Sequence, residues 1–386
     1  MKKRIFTAAL FAFLAGSVFS IDYGAIVSDE VKSTFTEDKK FKDGLKNDFN
    51  TSAWLRIPLS DDGLNYFIAE GYYNYRWVNS TDKTDDVLDL SLFKAEFVKE
   101  FPDRLFGIFK SGVFDFGRFA LSDASATVFS QAADGVMANL KTPSAEITFY
   151  GGYTGLLNAK STLYNMQSSD GIGKKDFYVL EDPYAVFETA VTLPNIFKSQ
   201  TLSFEFLGAF DMENSYNRMY FTAVSNGPVK GKVFYILSST FGVSRLDSDK
   251  DWEASNLSKF SLMMYPEFYS SSVSLNGIFA SGDKGSLGSF RTFTPATASV
   301  AGHTWEDLLK IGPMVTVKPL DSLLVTGSLD SFFIATKSAD YDGTQWKFTV
   351  LWQALSDLQF SGSAAQYVPE SGNSTFEFTF KTALSF

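Results

Sequence analysis

Thr375-Phe-Glu-Phe-Thr-Phe-Lys-Thr-Ala-Leu-Ser-Phe386 ends the chain, and its alternation decides the fold. Phe376, Phe378, Phe380, Leu384 and Phe386 share one face. Glu377, Thr379, Lys381 and Ser385 share the other. A period of two, greasy on one side and wet on the other, is a β-strand between unlike media. The pattern recurs upstream. Leu202, Phe204, Phe206, Gly208 and Phe210 oppose Ser203, Glu205 and Asp211. Trp346, Phe348, Val350 and Trp352 oppose Gln345, Lys347, Thr349 and Gln353. Val273, Leu275, Gly277 and Phe279 oppose Ser272, Ser274 and Asn276. No amphipathic helix of comparable length competes.

Composition narrows the class. The 386 residues include 40 Phe, 17 Tyr and 6 Trp, yet mean hydropathy is only -0.03. So many aromatics exclude disorder. Beyond the N-terminus no run of about 18 apolar residues exists, which excludes helical spans. The absence of Cys excludes disulfide scaffolds, zinc–thiolate and Fe–S centres and lipid anchoring on Cys. A single His excludes a His-rich metal centre. No cofactor and no metal are expected.

Residues 1–20 have the form of an export signal. Lys2, Lys3 and Arg4 precede an apolar stretch from Ile5 to Phe19, and Ser20 offers the cleavage point. The mature part, 21–386, then carries 31 basic against 44 acidic residues, because three cations leave with the leader. A polyanion of this kind is a poor partner for nucleic acid.

Turns set the topology. Pro58, Pro102, Pro143, Pro194, Pro228, Pro266 and Pro319, with Ser356–Asp357, mark short connections. Long polar stretches alternate with them, at about 29–50, 78–86, 117–134, 155–183, 212–217, 243–256, 281–307, 338–343 and 369–373. Seventeen strands are predicted from residue 52 onward, and parity of the two ends adds one at 21–28. The expected fold is all-β: an antiparallel up-and-down barrel of eighteen strands, with sixteen as the second choice. A soluble sandwich would not need a Phe-rich outer face on nearly every strand without covering helices. Trp54, Tyr73, Tyr75, Trp77, Tyr153, Tyr265, Tyr269 and Trp352 are predicted near strand ends, where interface girdles belong.

On these features the chain resembles bacterial outer-membrane porin-type barrels over the whole mature length. The C-terminal row Phe380, Leu384 and Phe386 is similar to the signal read by barrel-assembly machinery, with Thr382 interrupting it. Gly117-Arg118-Phe119 followed by Asp134-Gly135 is weakly similar to the third-loop region of carbohydrate- and alginate-type porins. The resemblance implies a bacterial outer-membrane location, with lipid, the assembly machinery and small hydrophilic solutes or ions as partners, and no enzymatic activity. A homotrimer is compatible with it and would need one outer face less lipid-like than the rest.

The polar strand faces should line a lumen. Expected lumen charges are Glu70, Arg76, Glu96, Glu205, Asp330, Lys347, Glu377 and Lys381. Segment 117–134 is too apolar for an external loop, so it is expected to fold inward as a constriction with Arg118, Asp123 and Asp134 near the aperture. Segment 281–307, Ser/Thr/Gly-rich with Arg291 and His303, is the second and weaker candidate for folding inward, with a mobile surface loop as the alternative. Asp247-Ser-Asp249-Lys-Asp251 lacks the glycine and the distal glutamate of a calcium loop. Passive diffusion of ions and small hydrophilic solutes is the function expected, and the acidic total leans toward cations. A surface barrel that binds ligands with its loops, and a transporter of hydrophobic solutes, are the alternatives.

Overall fold

A computed structural model describes residues 21–79, 83–154, 184–211, 217–245, 251–282, 287–294, 297–336 and 339–386. The export signal, the whole 155–183 stretch, Asp82, Asp247 and Asp249 lie outside these residues.

Eighteen strands follow one another: β1 Asp22–Thr36, β2 Leu45–Pro58, β3 Tyr66–Val78, β4 Lys83–Leu105, β5 Phe109–Ser122, β6 Ser130–Lys141, β7 Glu146–Thr154, β8 Tyr184–Leu193 and β9 Thr201–Asp211 in the first half. The second half holds β10 Asn217–Lys230, β11 Val233–Arg245, β12 Glu253–Met264, β13 Ser272–Ala280, β14 Leu308–Leu320, β15 Leu323–Ile334, β16 Asp340–Gln353, β17 Leu358–Pro369 and β18 Thr375–Ser385. Each strand pairs antiparallel with the next, and β1 pairs with β18 from Ile26–Ser385 to Thr36–Thr375. The sheet therefore closes on itself and has no edge to protect.

Alternation sorts the faces. On β9 the rings of Phe204 and Phe206 point outward, while Leu207 and Ala209 are completely buried inside the barrel. Phe221, Phe241, Phe260, Phe279, Phe348, Phe378 and Phe380 continue the exposed outer row around the sheet. Outer rings stack across strands, as in Trp352–Phe360–Phe380 with centroids 5.6 and 6.3 Å apart. Such cross-strand pairs are where a sheet gains side-chain stabilisation. Tyr73 and Tyr75 face outward as expected. Trp54 does not: it shares the inward face of β2 with Asp48 and Asn50, and its indole lies over Gly24, where a Cβ would approach within 2.8 Å. Strand parity overrides proximity to a strand end.

The connections at the rim where both termini lie are short, and those at the opposite rim include the long ones. Several loops are shorter than the sequence predicts, two of them most of all. Residues 29–36 and 45–50 belong to β1 and β2, leaving 37–44 with a single 3-10 turn at Phe41–Gly44. Residues 117–122 and 130–134 belong to β5 and β6, leaving 123–129. In the first, polar Asp29 and Ser33 stand in the outward row of Val27, Val31 and Phe35, which masks the alternation although the segment pairs with β18 from Asp29–Thr382 to Thr36–Thr375. In the second, the β5–β6 ladder continues past the alternating part. Pro102, Pro228 and Pro319 lie inside strand ends; Pro228 and Pro319 accompany register shifts near Lys230 and Leu320.

Candidate functional site in the barrel lumen

The 123–129 loop is organised by one carboxylate. Asp123 accepts hydrogen bonds from the backbone N–H groups of Ser125, Thr127, Val128 and Phe129, at 2.8 to 3.0 Å. Ala126 takes a left-handed φ of 51°, which lets the chain reverse tightly. The folded tip enters the lumen. The Ala124 N–H donates to the Glu205 carboxylate of β9 at 2.6 Å, and Lys259 of β12 donates to the Ser125 carbonyl at 2.8 Å. Val128 and Phe129 have no exposed surface.

Arg118 and Asp134 stand directly opposite each other on β5 and β6 and form a two-pronged pair, with both N···O distances 2.7 Å. Both side chains are buried. The pair therefore fastens the base of the hairpin that carries the loop. Asp123, at the hairpin tip, is engaged by the loop's own backbone. Gly117 precedes the arginine at φ 119°, and a Cβ there would meet the Phe93 carbonyl oxygen at 2.1 Å. Only glycine fits where β5 presses against β4.

Of the two readings of 281–307, its described residues follow the infolding one and not the mobile surface loop. Phe293 stacks on Phe129 at 5.3 Å, and its N–H donates to the Val128 carbonyl at 2.8 Å. Phe290 and Phe293 are both buried. Tyr220 and Arg218 of β10 donate to the carbonyls of Arg291 and Thr292. Val300 donates to Gln345 of β16 at 2.8 Å. His303 Nε2 lies 2.8 Å from Asp342, with its ring 4.9 Å from that of Tyr367. Polar anchors on the wall and an apolar centre between the two tips hold both loops inside the barrel.

The eight expected lumen charges all fall on inward positions of the register. Glu96 pairs with Lys94 at 2.6 Å and accepts from the Tyr66 hydroxyl at 2.7 Å. Arg76 pairs with Asp48 at 2.6 Å, Glu377 with Lys32 at 2.7 Å, and Asp330 with Lys310 at 3.1 Å. Lys381 stands opposite Glu30 and Ser361. Glu70 stands opposite Trp54 and Leu92. Beneath the loop tips lies a cavity of about 640 Å³. Ala124, Ser125, Lys259, Lys310, Asp330 and Lys347 are on its lining.

Sequence reasoning missed Lys259, Lys310, Arg218 and Asp342. The first two were accessible in principle, since Lys259 shares its face with Leu257 and Ser261, and Lys310 with Leu308. The loop partners of Arg218 and Asp342 are 74 and 39 residues away, and no local pattern reports such contacts.

No protein-family model and no curated protein matches the chain. Solved structures do match. Pseudomonas aeruginosa OccK3 (OpdO) superposes with a TM-score of 0.62 at 11% identity, covering 95% of this chain and 96% of that one. Acinetobacter baumannii OccAB4 gives 0.62 at 10% identity, covering 95% and 98%. Pseudomonas aeruginosa OccK5 (OpdH) gives 0.60 at 10% identity, also covering 95% and 98%. At such identities the likeness establishes the fold alone: a closed antiparallel β-barrel of eighteen strands.

Proposed function

We propose that the chain is a porin that passes small hydrophilic solutes and ions by diffusion, without catalysis. The two infolded loops act as its constriction. The observation that carries this reading is the charged cavity directly under the loop tips. A water-filled lumen needs polar walls, and here the inward faces of β1–β4 and β14–β18 supply them with paired charges. Arg118 and Asp134 fix the hairpin base, and Asp123 shapes the tip that narrows the passage.

The field at the constriction favours small anions, although the chain as a whole is acidic. Charges are screened over about 8 Å at physiological ionic strength, so the lining outweighs distant loop charge. Lys259, Lys310 and Lys347 face one carboxylate, Asp330, in the cavity. Phe386, Leu384 and Phe380 serve as the assembly signal. His303 has a structural task, tying the longer loop to the wall.

Single-channel recording in a planar bilayer tests the reading. The mature protein should give stable steps, with a reversal potential in a salt gradient that leans toward anions. Replacing 124–128 by a short glycine linker should enlarge the steps. A folded, heat-modifiable barrel that carries no current would reject the porin, and would favour ligand binding by the outer loops. Unchanged step size after loop replacement would reject the constriction.

A further inference from the structure

The open side of the lumen carries few aromatic rings, and they are confined to two strands. Among the described residues from β18 round to β4, the rings on inward positions are Trp54 on β2 and Tyr66 and Tyr72 on β3. The rungs of Tyr66 and Trp54 are built alike but not equally filled. Tyr66 has the Arg56 guanidinium over its face at 4.0 Å and the Lys94 ammonium at 5.7 Å. Glu96 completes the group, accepting from the Tyr66 hydroxyl at 2.7 Å and from Lys94 at 2.6 Å. Ring, cation and carboxylate there all come from the chain. Trp54 also has a carboxylate beside it, because Glu70 is its direct ladder partner and such partners hold their Cβ atoms about 5 Å apart. Yet among the described residues the Glu70 carboxylate accepts no hydrogen bond and joins no ion pair, and no cation lies over the indole. Arg56, the next inward residue of β2, turns away toward Tyr66 and donates to the Gly63 carbonyl at 3.3 Å. The indole is held from behind by Gly24 of β1, where a Cβ would come within 2.8 Å of Cε2, Cζ2 and Nε1 at once. One side of the ring is therefore backed by the wall. The indole stays only half-buried, with its other side toward the lumen.

An indole face attracts positive charge, above all the weakly hydrated charge of an ammonium whose protons are replaced by methyl groups. A carboxylate alongside adds Coulomb attraction and asks for no hydrogen-bond donor in return. A primary ammonium keeps its water shell more tightly and gains less from the ring. We propose that Trp54 and Glu70 form a binding subsite for the quaternary ammonium group of a solute in transit. The lysine-lined cavity repels a bare cation, so the solute class expected is a small zwitterion that joins a quaternary ammonium to an anionic group. The subsite deepens the porin reading and rests on it for its purpose, but binding itself needs only a water-filled lumen.

Glycine betaine is the probe. The anion of tert-butylacetic acid, with the same shape and carbon in place of the charged nitrogen, is the control. Titration calorimetry on the refolded, heat-modifiable barrel should show saturable binding of the betaine and none of the control. Trp54→Leu keeps an apolar side chain over Gly24, and Glu70→Gln keeps the shape of the carboxylate. Each should weaken betaine binding about fivefold or more. Heat-modifiable mobility verifies that a variant is folded before it is titrated, and either variant alone carries the test. Equal binding of probe and control would overturn the proposal, as would full betaine affinity in a folded variant. Planar-bilayer recording of the same preparation separates the two readings. Steps without betaine binding keep the porin and reject the subsite, whereas betaine binding without steps keeps the subsite and rejects the porin.

Discussion

From β8 to β17 the inward wall is largely hidden beneath the two loops, whereas from β18 round to β4 it faces open lumen. Val186, Leu207 and Phe332 on the first half have no exposed surface. On the second half Arg76 and Lys32 keep 44% and 37% of their side-chain surface. The same strand architecture therefore carries two kinds of interior. One is a packed core that happens to lie inside a barrel, built from Phe129, Phe293, Tyr184 and their neighbours. The other is a wet wall of paired charges. The difference teaches that lumen-facing does not mean polar: what an inward residue needs is set by whether a loop comes back over it.

That contrast can be broken from either side. The largest effects belong to the packed half. Phe293→Ala should cost about 3–5 kcal/mol, the usual range for emptying a buried aromatic site. It also removes the ring that holds Phe129, so thermal melting should fall and channel noise should rise. Arg118→Ala should cost about 3–5 kcal/mol as well, because it strands the buried Asp134 carboxylate. The double change Arg118→Ala with Asp134→Ala should recover part of that loss, and a thermal scan of the three variants gives the coupling. Lys259→Met takes charge-assisted donors from the Ser125 carbonyl and Thr127 hydroxyl and should cost about 1.5–3 kcal/mol. Its reversal potential should move toward cations. On the wet half Glu377→Gln should change stability by about 0–1 kcal/mol, as expected for a hydrated pair. If Glu377→Gln destabilised the barrel as much as Phe293→Ala does, the distinction between the two halves would fail.

Much of this was legible in the residues. Alternation in 202–211, 344–353 and 374–386 is strong because those strands separate lipid from lumen over most of their length. The count of eighteen followed from turn parity, which does not depend on where a strand begins. Strand ends were less legible. In 29–36 polar Asp29 and Ser33 interrupt the outward row of Val31 and Phe35, and in 117–122 the ladder continues past the alternating part, so pairing partners define these ends and side-chain pattern does not. The inward loop at 123–129 was visible through its apolar composition, since Val128 and Phe129 would be odd in water. Its counterpart at 281–307 was the weaker candidate, because its polar residues are satisfied by groups far away in sequence, as Val300 is by Gln345. Arg118 and Asp134 were expected near the aperture. The register sets them opposite each other on the row of Phe116 and Val136, which faces outward, and the sequence pattern did not show their pairing.

The first and last strands meet along a ladder that ends with Phe386 and Ala25 exchanging two backbone hydrogen bonds, at 2.9 and 3.3 Å. The ladder thus joins the first strand to the eighteenth. Nothing can close the wall until β18 has been made, and until then β1 is an unsatisfied edge that must be kept from pairing with anything else. Time, as well as geometry, is built into this join: the cylinder is a record of a chain that had to be held open, end to end, before it could become a surface without a border.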